Sequence, residues 1–314
     1  MSANSRQITA LMDSLASGRD PLATELALLS DLDAEDVERI RERWTDVPAR
    51  VRERMLTRST ELAEDNLDLQ FDQLARIALD DPEPAVRRAA IECVWESSDR
   101  HIAARLATLL REDEDETVRG YSATALGSFV LQCELESFDP RQGEKIIESL
   151  RAAATDPGES IDVRARAIES LGYCSKSWVD TLITDAYYHE DSRLHLAAIH
   201  AMGASAQEKW IDYLAEEADS DDPETRYEVA VALGNISSEA GLDTLASLLH
   251  DEDSEVQIAA ILSLAEVGGE EAIRHLNEFI EQAPPDLQQM AIAALDAASF
   301  LDDEDDDPGL FRRP

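Results

Sequence analysis

Histidines, cysteines and paired carboxylates are the side chains of this sequence that could hold a metal or move a proton. The histidines are His101, His189, His195, His200, His250 and His275. One His-Glu step occurs, His189-Glu190, and it does not recur. A two-metal centre needs several such ligands converging, so a single step does not make one. His195 and His200 lie five residues apart, which on a helix points them in different directions. A metal shared between two helical histidines calls for a spacing of four. Cys93, Cys133 and Cys174 are odd in number and contain no Cys-x-x-Cys pair. That argues against a disulfide framework or a zinc site and reads each as a small apolar residue or free thiol. No glycine-rich phosphate loop, dinucleotide fingerprint, zinc-protease helix or serine-elbow motif is present. With 68 Asp and Glu, chance carboxylate pairs are abundant and carry no information. The reading is no catalytic residue, no cofactor, no metal, and no enzyme activity.

The charge is more telling. The 314 residues carry 68 acids against 28 bases, a formal net charge of -40. A field of that sign repels nucleic acid and anionic membrane and favours partners with a basic surface. Lysine occurs only as Lys145, Lys176 and Lys209. Residues 1–20 contain no apolar core of secretory type, and the sequence has no run of about 18 apolar residues, so a soluble cytoplasmic monomer is expected.

The elements that would position any site follow from self-similarity. Segments of the form Val-Arg-x-x-Ala-x-x-x-Leu-Gly align with their first residue at Val86, Val118, Val163, Leu194, Thr225, Val256 and Leu287. Their spacings are 32, 45, 31, 31, 31 and 31 residues. Four residues on stand Ala90, Ser122, Ala167, Ala198, Val229, Ala260 and Ala291. Eight residues on stand Val94, Leu126, Leu171, Met202, Leu233, Leu264 and Leu295. Positions 0, 4 and 8 share one helical face, and a small residue at position 4 lets a neighbouring helix come close. A second helical run precedes each landmark across an acidic turn whose Asp, Ser and Pro suit a helix start. Gly127, Gly172, Gly203 and Gly234, at position 9, serve either close packing or a left-handed helix end. Asp115 with Arg119 and Asp222 with Arg226 recur around the landmark and should form a ladder between neighbouring turns, a structural role.

Asp253, Val256, Ala260 and Leu264, and likewise Val163-Arg164, Ala167 and Leu171-Gly172, resemble HEAT repeats of the short type found in phycobilisome-lyase-like proteins. The resemblance implies an all-α, right-handed α-solenoid of helix–turn–helix repeats with a period of 31, each burying its apolar face against the next. The expected organisation is a flexible segment at 1–20, a helical cap with a divergent repeat at 21–70, seven repeats at 71–300 and an acidic disordered tail at 301–314. The 45-residue spacing places an insertion at about 131–161, with a loop at Asp139-Pro140 and Gln142-Gly143. The cap holds a basic cluster, Arg39, Arg41, Arg43, Arg50, Arg52, Arg54 and Arg58, read as a solvated helical face with ion pairs at helical spacing. In the tail, Leu310-Phe311 is a candidate docking motif after the Asp302–Asp307 acidic run.

The resemblance also implies that the second helix of each repeat lines the concave face. Positions 2 and 6 then point away from the core. In repeats four to six they are Leu196 and His200, Tyr227 and Val231, and Ile258 and Leu262, a mostly apolar stripe that Tyr121 and Met290 border. Such a stripe is either a protein-binding surface or, in a tightly curved array, side chains packed against one another and the adjacent helices. The function expected is a non-catalytic protein-binding scaffold or adaptor, gripping a helix or extended segment of its partner. The alternative left by the resemblance is a bilin lyase, or a metal-dependent oxidoreductase of the deoxyhypusine hydroxylase type.

Overall fold

The computed structural model describes residues 3–66 and 68–305. Among them every regular element is helical, and they fall into two compact units, Met1–Leu171 and Gly172–Pro314.

In the first unit, α1 (Ala3–Ala16), the single turn α2 (Ala23–Leu26), α3 (Ala34–Arg43) and α4 (Ala49–Asp65) precede three helix pairs. These pairs are α5 (Asp72–Ala78) with α6 (Pro84–Glu92), α7 (Arg100–Glu112) with α8 (Glu116–Glu134), and α9 (Pro140–Thr155) with α10 (Ile161–Leu171). The second unit holds four pairs: α11 (Ser177–Tyr187) with α12 (Ser192–Ala204), α13 (Ile211–Glu217) with α14 (Pro223–Ile236), α15 (Leu242–Leu248) with α16 (Ser254–Val267), and α17 (Gly269–Ile280) with α18 (Pro285–Asp305). Every landmark sits on the second helix of a pair. Within each unit these second helices pack in succession, α4 to α6 to α8 to α10 and α12 to α14 to α16 to α18.

The helical face inferred from spacing is the core. Val86, Val118, Val163, Leu194, Val256 and the alanines four residues on are buried, as are Leu126, Leu171, Met202, Leu233 and Leu264. The acidic turns start the second helices. Asp115, Asp191, Asp222 and Asp253 each accept a hydrogen bond from a backbone N–H in the first turn, satisfying donors that a helix start leaves unpaired.

The ladder exists, and its partners are specific. Arg119 pairs with Glu159 and Arg226 with Asp251, each the acid of the following turn, while Asp115 and Asp222 serve as helix caps. Arg87 reaches Asp113, and Arg52 reaches Asp81, in the same way. Each of these arginines also donates to a carbonyl of its own preceding turn: Val47, Asp81, Asp113 and Ser220 respectively for Arg52, Arg87, Arg119 and Arg226. Arg164 donates to the Ala154 carbonyl, and His195, Gln257 and Gln288 do the same at Tyr187, Leu249 and Ile280. The residue after the landmark thus braces its own helix turn whichever side chain supplies the donor.

Gly172 and Gly203 serve close packing. Neither has a positive φ, and a Cβ on Gly203 would lie 2.6 Å from the Ala232 Cα on the next helix.

Three expectations change. Residues 1–20 are not a flexible arm throughout: α1 buries Ile8, Leu11, Met12 and Leu15, an apolar stripe at helical spacing. Gln142 and Gly143 are not in a loop. Asp139 caps α9 by accepting from the Gln142 N–H, Pro140 pre-sets the first turn, and both residues continue the helix. The additional residues lengthen α8 and α9 and leave short connections at 135–139 and 156–160. At the other end α18 continues to Asp305, whereas Asp306, Asp307 and Leu310-Phe311 lie outside the described residues.

Candidate functional site

The stripe drawn from positions 2 and 6 lies on α12, α14, α16 and α18 of the second unit, apart from Tyr121. Tyr227 keeps 40% and Leu262 50% of its surface exposed. Leu196, Val231, Ile258 and Met290 are half-buried between helices. The spacing had missed Ile292, which is 45% exposed one residue beyond the core Ala291 on α18. Exposed apolar side chains therefore stand on three consecutive second helices. His200 differs from the rest of the stripe. Its Nδ1 donates to Glu228 at 2.7 Å, so it fastens α12 to α14 as a polar bridge. Tyr227 and Leu262 had a clear signal in the helical period. Ile292 had none, because it falls outside positions 2 and 6.

Tyr121 belongs to the first unit, on α8, whereas the residues it was grouped with belong to the second. Arg88 and Arg166 approach its ring at 5.6 and 5.5 Å, close enough for cation–π attraction. Tyr121 and Arg166 line a cavity of about 480 Å³ with Thr60, Glu92 and Trp95. Trp95 is 67% exposed, and a signal for it existed. It occupies position 9 of its repeat, where Gly127, Gly172, Gly203 and Gly234 stand in others. The chain tolerates tryptophan there because α6 ends at Glu92, so Trp95 projects from a turn instead of facing a neighbouring backbone.

The histidines find structural work. Nδ1 of His195 must donate to the Tyr187 carbonyl, which can only accept, at 2.6 Å; Nε2 faces Glu217 at 3.4 Å. The Tyr187 hydroxyl donates to the same carboxylate. Burial, and then the Glu217 contact, push that phenol well above its ordinary range. His195 and His200 share no ligand geometry. Among the described residues no three His, Cys, Asp or Glu side chains are arranged to hold a metal ion. Cys93 and Cys133 are half-buried, Cys174 is buried, and none of the three is in a disulfide.

The N-terminal arginines are engaged within the chain. Arg39 pairs with Glu35, Arg41 with Glu38, Arg43 with Asp13, Arg54 with Asp20 and Arg52 with Asp81. Arg50 and Arg58 donate to the Gly18 and Pro21 carbonyls. Several of these partners come from α1 and the segment after it, not from helical spacing alone. Among the described residues no helix is long and apolar enough to cross a membrane.

Helix pairs that stack through their second helices, with a donor after each landmark bracing the turn, define an α-helical repeat protein. The family model for HEAT repeats matches residues 71–157 and 211–296, more than half of the sequence. The chain belongs to the HEAT-repeat family. Among solved structures it resembles the CpcE–CpcF complex of phycocyanin lyase from Nostoc, at 18% identity, covering 81% of this chain and 98% of that one, with a TM-score of 0.57. Human deoxyhypusine hydroxylase aligns at 16% identity over 95% of this chain and 97% of its own, with a TM-score of 0.35. Importin beta aligns at 13% identity over 92% of this chain and 46% of its own, with a TM-score of 0.48. At these identities the likeness concerns the fold. No curated protein matches the sequence.

Proposed function

We propose that this chain is a non-catalytic scaffold or adaptor that binds a protein segment along the second helices of the second unit. The observation that carries the reading is the row of exposed apolar side chains, Tyr227, Leu262 and Ile292, on the consecutive helices α14, α16 and α18. Water-facing tyrosine, leucine and isoleucine on adjoining helices are costly for solubility unless something covers them, and tyrosine is a favoured hot-spot residue. The net charge of -40 favours a partner segment with basic residues beside its apolar ones.

The test is affinity purification from the native host with the wild-type chain and with Tyr227→Ser/Leu262→Ser. Both positions are exposed, so the variant keeps its fold by circular dichroism. Loss of specific partners supports the reading; an unchanged partner set removes it. The alternative, a bilin lyase or metal-dependent hydroxylase relative, requires the purified protein to carry bound tetrapyrrole or iron. Absorbance and metal analysis of protein from the native host separate the two.

A further inference from the structure

In the first unit, α7 and α9 run side by side as the first helices of successive repeats, and between them lies a cavity of about 370 Å³. Its lining is unusual for this chain. Arg100, His101, Arg111 and Lys145 carry, or can carry, positive charge, and no acid lines it, although acids outnumber bases 68 to 28 in the sequence. Ala104, Ala107 and Ile146 form an apolar floor, and Gln142 adds a neutral amide.

The cations are placed by the helices. Arg111 Nη1 donates to Ser149 Oγ at 3.1 Å, and that hydroxyl donates to the Lys145 carbonyl at 2.9 Å. Ser149 thus ties the end of α7 to the turn of α9 that carries Lys145. Arg111 on α7 and Lys145 on α9 are the two cations that line the groove at this end. Arg100 and His101 stand at its other end, two to three turns back. The acid nearest to this set is Glu112, 3.6 Å from Arg111 and 66% exposed. Arg100 and Lys145 make no ion pair with a described residue, unlike the N-terminal arginines.

From this placement we propose that the α7–α9 groove is an anion site for a phosphate monoester. The phosphoryl group sits between Arg111 and Lys145, and its organic portion lies on Ala104, Ala107 and Ile146. Arginine and lysine together suit a dianionic phosphate, the fork by shape and the ammonium as a point charge. The rest of the chain is strongly negative, but solution ions screen distant acids beyond about 8–10 Å. The cations at the groove then decide the local field. The site is on the first helices of the first unit and is independent of the apolar stripe in the second.

The test is calorimetry on the full chain at physiological ionic strength, where the distant acids are screened, with three probes: inorganic phosphate, phenyl phosphate and a phosphoserine pentapeptide. An ester is expected to bind more tightly than inorganic phosphate, because the floor is apolar. Arg111→Gln/Lys145→Gln is expected to weaken that binding about tenfold or more. Arg151→Gln, which removes one positive charge from α9 outside the groove, leaves it near the wild-type value. Tighter binding of phenyl phosphate names a small ester as the ligand, and tighter binding of the peptide names a modified protein. The proposal is overturned if no probe binds, if inorganic phosphate binds as well as either ester, if the double variant binds like wild type, or if Arg151→Gln loses as much.

Discussion

Arg52 and Asp81 form a two-pronged ion pair with contacts of 2.7 and 2.9 Å, and their side chains are 5% and 0% exposed. The indole N–H of Trp44 donates to the same carboxylate at 2.6 Å, so the charge is paired and hydrogen-bonded where water cannot reach it. The pair joins α4 to the turn before α6. It is the most buried of the rungs that repeat at Arg87, Arg119 and Arg226.

Removing one partner of this pair leaves a buried charge without its counterpart. Arg52→Met is therefore expected to lower stability by about 3–5 kcal/mol. Arg52→Met with Asp81→Leu is expected to cost less than the single change, since no unpaired charge remains. Urea unfolding of the two variants checks the order. A double variant less stable than Arg52→Met would contradict it.

Gly203→Ala places a Cβ 2.6 Å from the Ala232 Cα, a backbone atom that cannot turn aside. The helices α12 and α14 must separate, at a cost of about 1–3 kcal/mol. Gly158→Ala, in the exposed turn 156–160, is expected to stay within about 0.5 kcal/mol of wild type. Thermal midpoints of the two variants measure the contrast.

The Arg226–Asp251 rung gives a pH dependence of known sign. The hydrogen bond from Arg226, working against burial, holds the Asp251 carboxyl below its usual 3.8. A carboxyl lowered on folding contributes its stability fully above the ordinary value and loses it as pH falls through the lower, folded value. At neutral pH, wild type is expected to exceed Asp251→Asn by about 2 kcal/mol. The gap should close as pH drops below the ordinary carboxylate range, and a gap that stays constant down to that acidity would show that the rung is not electrostatic.

Burial pushes the Cys93 thiol up to about 12, partly offset by a hydrogen bond with Thr60. At pH 8 about one part in 10⁴ is thiolate, against about a quarter of a free cysteine. Alkylation of Cys93 in the folded chain is expected to be about a thousandfold slower than in denaturant. Mass spectrometry of peptides after timed iodoacetamide treatment reads this directly.

Much of this architecture was legible because burial repeats with the helical period. Val118, Ser122 and Leu126, or Val256, Ala260 and Leu264, reveal their shared face by spacing alone. The ladder was half legible. Arg119 and Arg226 could be marked as structural, but their acids come from the next turn, and a long side chain's reach is not written in local spacing. Tyr227 and Leu262 were found by turning the core face about the helix axis. Leu196, Val231 and Ile258 share their positions yet are half-buried, because how far a neighbouring helix covers a side chain depends on packing angle. His200 shows the same limit: its partner Glu228 is on another helix. The groove of Arg100, Arg111 and Lys145 was invisible, since it arises where α7 and α9 lie together, and no motif joins them.

The bracing donors also set a mechanical polarity in the second unit. His195 and Arg226 each reach an acid of the following repeat, whereas Gln257 fastens only its own turn. Between the last two helix pairs the His250 ring stands edge-on to Phe279, and among the described residues no ion pair crosses the joint. The final pair, α17 and α18, can therefore peel away without parting opposite charges across that joint. Under tension, or in amide exchange, it should act as the unit's hinge-like end flap, opening and reclosing while α12 to α16 stay shut.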